Sequence, residues 1–97
     1  MNFTVRVELH GVKHESEKYT ELHDEMKGQG FNRNLNIDGV VYRLPTAEYS
    51  RVSEDTKDQI LTKAKTAARK VMGSDSKYSV LVTGDTTARA HHNLEKV

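Results

Sequence analysis

The order of hydropathy patterns in this 97-residue chain predicts an α+β sandwich built βαββαβ, an antiparallel sheet with two helices on one face. Three observations carry that expectation. Residues 3–10 alternate apolar and polar without a break. Two later stretches repeat apolar residues at helical spacing. Between them, Asp38-Gly39 joins two further alternating runs.

The first strand turns Phe3, Val5, Val7 and Leu9 to one side and Thr4, Arg6, Glu8 and His10 to the other, as a strand buried on one face must. Gly11 ends it. The first helix is expected from Glu15 to Lys27, with Tyr19, Leu22 and Met26 as its apolar stripe. Glu15 and Glu17 suit the positive end of its dipole, and Gly28 and Gly30 stop it. Phe31, Arg33, Leu35 and Ile37 then alternate with Asn32, Asn34 and Asn36. Asp38-Gly39 fits a two-residue turn that needs positive φ at both positions, and Val40–Leu44 returns. Pro45 has no amide proton for a ladder, so an edge or bulge is expected there, with Ala47–Val52 resuming the extended path.

Ser53 reads as the N-cap of the second helix, with Glu54 and Asp55 in its first turn. That helix is expected from Glu54 to Met72. Ile60, Leu61, Ala64, Ala67, Ala68, Val71 and Met72 form its apolar face, and Gly73 caps it. Lys77–Thr83 is the last clear strand, with Tyr78, Val80 and Val82 on one face. The organisation is therefore one ferredoxin-like domain over residues 1–83, followed by residues 84–97 as a tail or a short extra strand that adds to a partner's sheet. Right-handed crossovers put the first strand in the centre, and the uncovered sheet face carries Arg6, Glu8 and His10.

Composition narrows the function classes. There is no cysteine, which removes disulfides, thiolate nucleophiles and cysteine-bound metals and fits a reducing compartment. The apolar runs are far too short for a membrane span or a signal-peptide core, so a cytoplasmic protein with no membrane partner is expected. A formal net charge of +1 argues against a DNA-coating protein, and no DNA partner is expected. There is no phosphate loop and no G-x-S-x-G elbow. The spacing of His10, His14 and His23 matches no metal signature, and His91-His92 falls in the tail, so neither a metal nor another cofactor is expected.

The residues that can carry chemistry are few. His10, where the first strand ends, reads either as a general base or as a solvated loop-edge histidine. Arg33 falls in the apolar register of its strand, where it either snorkels at an edge or pairs with a phosphate or carboxylate. Arg6, Arg33 and Arg43 on three strands, with Tyr42 beside Arg43, fit RNA, whose backbone takes arginine and whose bases stack on aromatic rings. Lysines 57, 63, 65 and 70 with Arg69 read as a solvated helix face matched to the dipole. Glu8 with Glu48, and Asp38 with Asp85, are the carboxylate pairs that a fold could bring together.

The segments Phe3–His10 (FTVRVELH), Gly30–Arg33 (GFNR) and Tyr42–Tyr49 (YRLPTAEY) resemble small bacterial proteins of the GhoS family, endoribonuclease antitoxins of type V toxin–antitoxin systems. The resemblance runs from about Phe3 to Thr83 in length and element order. It implies a ferredoxin-like domain that cleaves a toxin messenger RNA. The family's arginine on helix one falls near His23 here. The acidic residue that ends strand one in nuclease relatives falls near His10. Cleavage without a metal is what this combination implies: His10 or His23 takes the 2′-hydroxyl proton, and Arg6 or Arg33 stabilises the phosphorane. Arg33, Arg43 and Tyr42 are the expected RNA contacts. The competing expectation is a non-catalytic homodimeric interaction module that uses the open sheet face or the C-terminal strand.

Overall fold

A computed structural model describes residues 1–86 and 94–97. The chain runs β1 (Asn2–Leu9), α1 (Glu17–Gly28), β2 (Asn34–Ile37), β3 (Val40–Arg43), β4 (Glu48–Val52), α2 (Lys57–Met72), β5 (Tyr78–Asp85) and β6 (Glu95–Lys96). The fold is mixed α+β, and the described residues form two helices and two three-stranded antiparallel sheets, ordered β4-β1-β5 and β2-β3-β6.

Alternation in β1 has the expected result. Phe3, Val5, Val7 and Leu9 are 0–2% exposed beneath the helices, while Arg6, Glu8 and His10 are exposed on the other face. Full burial of each such apolar side chain contributes about 1.5–3 kcal/mol, so this strand anchors the core. Tyr19, Leu22 and Met26 of α1 and Ile60, Ala64, Ala67, Ala68 and Val71 of α2 close over it. The small alanine side chains let α2 lie close to the sheet. Tyr19 keeps its hydroxyl satisfied in the core by accepting the Leu9 backbone N–H at 2.9 Å.

The hairpin does not join the β1 sheet, so two sheets stand where one was expected. Asn32 and Ser50 exchange both backbone hydrogen bonds (2.9 and 2.6 Å), which brings the start of the hairpin beside β4. The hairpin then turns away, while Ser50 Oγ donates to the Asn34 carbonyl. Pro45 cannot donate to a ladder, and Ala47 takes φ 72 just before β4. The chain thus reverses at Pro45–Ala47 and delivers a separate strand, β4, to the edge of β1. The turn itself is as expected, with positive φ at both Asp38 and Gly39.

Other boundaries differ from the sequence reading, and β2 starts only at Asn34, which leaves Arg33 just outside the strand. Helix α1 starts at Glu17 on the Ser16 cap. Helix α2 starts at Lys57, not Glu54, because Thr56 and Gln59 form a reciprocal capping box. Ser53 Oγ instead accepts the Asp55 N–H and shapes the approach to the helix. A 3₁₀ turn, Asp75–Lys77, precedes β5, which runs on to Asp85. Glu95–Lys96 pairs with β3 of its own chain. His91-His92 lies outside the described residues.

Candidate functional site

The sequence candidates separate into two groups on opposite sides of the β1 sheet. His23 belongs to the helical side. It stands on α1, half-buried, with Nδ1 2.6 Å from the hydroxyl of Tyr49 on β4. Tyr49 pairs with Val5 in register and shares its core-facing side. The two rings lie 5.7 Å apart at 60°.

This environment sets the protonation of each group. Burial lowers the His23 pKa below 6.5, and the Arg33 and Arg43 charges push the same way against Asp24. Burial raises the Tyr49 pKa well above that of a solvated phenol, with Arg33 opposing. At neutral pH the site therefore holds a neutral imidazole and a protonated phenol in the field of a permanent cation. Arg33 Nε is buried and has no hydrogen-bond partner among the described residues. Arg43, across the hairpin from Asn34, donates from Nε to Asn34 Oδ1 at 3.0 Å. Tyr42 alternates to the other face of the hairpin, in register with Leu35 and Lys96.

His10 and Arg6 belong to the other group. His10 Nε2 lies 2.7 Å from Ser79 Oγ, and Ser79 is the register partner of Glu8 on the uncovered face. Arg6 is paired with Leu81 on one side and Glu48 on the other. The sheet thus lies between the His10–Arg6 group and the His23–Arg33–Arg43 group. Of the carboxylate pairs, Glu8 and Glu48 share the open face. Asp38 sits in the β2–β3 turn and Asp85 at the end of β5, in different sheets.

Two features escaped sequence reasoning. Tyr49 orients His23 across 26 positions of sequence, and no local pattern signals that contact. The alternating Asn32, Asn34 and Asn36 line a groove of about 460 Å³ with Gly30, Ser50, Arg51 and Val52. Their spacing was legible, but the groove exists only because the hairpin swings off β4. Among the described residues, no three histidine, aspartate or glutamate side chains gather as a metal site, and no helix is long and apolar enough to cross a membrane.

Comparison with protein-family models, curated proteins and solved structures gives no match to this chain. What the site does rests on its own chemistry.

Proposed function

We propose that this chain binds RNA, holding backbone phosphate at Arg33 and Arg43 beside His23, and cuts the strand there as an endoribonuclease. The observation that carries the reading is the buried, unpartnered Nε of Arg33, whose charge acts on both His23 and Tyr49. A buried donor left unpaired costs roughly 1–3 kcal/mol. A phosphate matches the guanidinium charge, and its oxygen satisfies Nε once the side chains covering that atom move aside.

The His23–Tyr49 hydrogen bond supplies the rest. In the tautomer that donates Nδ1–H to the Tyr49 oxygen, the imidazole keeps its lone pair on Nε2. Nε2 takes the proton of a 2′-hydroxyl, and the 2′-oxygen attacks the adjacent phosphorus. The products are a 2′,3′-cyclic phosphate and a 5′-oxygen that leaves with a proton from water. The arginines stabilise the charge that grows on the phosphorane.

The fold supports the reading in a further way. A β4-β1-β5 sheet under two helices, with the hairpin's first residues bridged to β4, fits a ferredoxin-like sandwich whose hairpin has swung outward. The resemblance to the GhoS family adds the biological target, a toxin message cleaved in the cytoplasm by its antitoxin.

The test is incubation of the pure protein with structured RNAs, in EDTA and in magnesium, followed by end mapping. Cuts that carry cyclic phosphate ends and vanish in His23→Ala are expected. Cuts that survive that substitution, or no cutting at all, overturn the nuclease part. The phosphate contact is then judged by salt-sensitive binding alone.

A second reading, a non-catalytic homodimeric module, draws on the uncovered sheet face, where Leu81 and Val52 are 64% and 77% exposed.

A further inference from the structure

On the uncovered face of the β4-β1-β5 sheet, the central strand carries a pair of opposite charges that is its own complement. Arg6 and Glu8 are successive residues on that face of the central strand, and both are exposed. Neither side chain makes a hydrogen bond or ion pair among the described residues. A two-fold axis between two such faces, running across the strands at Val7, sets Arg6 of one copy over Glu8 of the other. Symmetry then supplies the second pair. The same operation lays Leu81, the register partner of Arg6, over Ser79, the register partner of Glu8. Beside them is a depression of about 280 Å³ lined by Arg6, Glu8, Ser79, Val80 and Leu81, which receives the exposed leucine of the other copy. Glu48, the register partner of Arg6 on β4, shares this face, and the two-fold carries it to the level of the other copy's Glu8 just past the end of that copy's β4 ladder.

We propose that the chain forms a homodimer by packing these faces together, with reciprocal Arg6–Glu8 ion pairs fixing the register. The proposal deepens the interaction-module reading and does not draw on the RNA site, which lies on the helical side of the sheet. Strands about 4.8 Å apart, two of eight residues and one of five at about 3.4 Å per residue, give a face of roughly 340 Å² per copy. That is less than half of the ~800 Å² per partner in a standard interface, so the dimer is weak and salt-sensitive, with a Kd in the micromolar range.

The experiment is sedimentation equilibrium from about 10 to 500 μM protein, a span that brackets such a Kd. The wild-type chain is expected to pass from monomer to dimer. Arg6→Glu and Glu8→Arg each set like charges against one another across the two-fold and are expected to weaken dimerisation at least about tenfold. Mixed in equal amounts, the two variants restore a dimer, because the carboxylates at positions 6 and 8 of one copy then meet the guanidiniums at positions 8 and 6 of the other. A loss of folding alone does not rescue on mixing. If either variant fails to fold, Arg6→Gln and Glu8→Gln are expected to weaken the dimer singly. A monomeric wild type overturns both this proposal and the module reading. A dimer indifferent to these substitutions, or unrescued by mixing folded variants, overturns this interface and leaves the module reading to another surface.

Discussion

His23 is the residue whose surroundings say most about the site. Desolvation and then Arg33 lower its pKa in the folded chain, whereas unfolding returns it to about 6.5. Between those two values the unfolded chain binds a proton that the folded chain refuses, so this group's contribution to stability is full above pH 6.5 and declines as pH falls below it. Thermal midpoints measured from pH 7.5 to pH 5 are expected to fall more steeply for the wild type than for His23→Gln; parallel curves would mean that folding does not hold His23 as a neutral imidazole. A glycine tests the packing next to it. Gly30 has φ +91, and a Cβ there runs into Arg51 Nη1. That guanidinium donates to the Gln29 carbonyl, pairs with Asp55 and lies 5.5 Å from the centre of the Phe31 ring. Gly30→Ala is expected to cost about 1–3 kcal/mol. Gly39→Ala also has positive φ but open space around it, so it is expected to cost less in the same urea titration. At this scale the sequence was readable where a residue's own backbone sets the outcome, as at Asp38-Gly39 and Gly73. It was silent where the partner is remote, as for His23 with Tyr49, because nothing local marks a hydrogen bond closed by the fold.

At the scale of elements, helix α2 shows how two local signals compete. Ser53 followed by Glu54 and Asp55 reads as a helix start, but so does Thr56 with Gln59 three residues on. The structure takes the second, because Thr56 Oγ1 and the Gln59 side chain each satisfy an N–H of the other residue. A box satisfies two otherwise orphaned donors, against one for a lone cap. Thr56→Ala is therefore expected to cost about 1 kcal/mol, and Ser53→Ala less, since Ser53 holds Asp55 ahead of the helix and caps none of its N–H groups. An inverted order in chemical denaturation would place the helix start at Ser53 after all. The hairpin teaches a related lesson. Its strands and turn were legible from alternation, but its departure from the main sheet was not. That departure depends on β4 capturing the β1 edge after Pro45 and on positive φ at Ala47, a residue type that gives no warning of it.

For the whole molecule, the decisive quantity is how local its RNA affinity is. A net charge of +1 gives little field to draw a polyanion from a distance, so binding must come from cations gathered at one place. Arg33 and Arg43 are such a pair, and counterion release from single strands goes as about −0.7 per phosphate neutralised. The logarithm of RNA affinity against the logarithm of salt is therefore expected to slope at about −1.4 for the wild type. Arg43→Ala should reduce that slope by about 0.7, while affinity falls for every sequence alike. Removing Lys65 or Lys70 on the exposed side of α2 should leave the slope unchanged. A slope far steeper than this would require more phosphate contacts than the His23 site offers, and would move the RNA path onto α2, where Lys65, Arg69 and Lys70 are exposed. A flat profile would mean that no phosphate is held, and the open sheet face would then be the working surface of the protein. The same salt series on the dimer separates the two surfaces: the Arg6–Glu8 contact weakens with salt whether or not RNA is present, whereas the Arg43 contribution appears only with RNA.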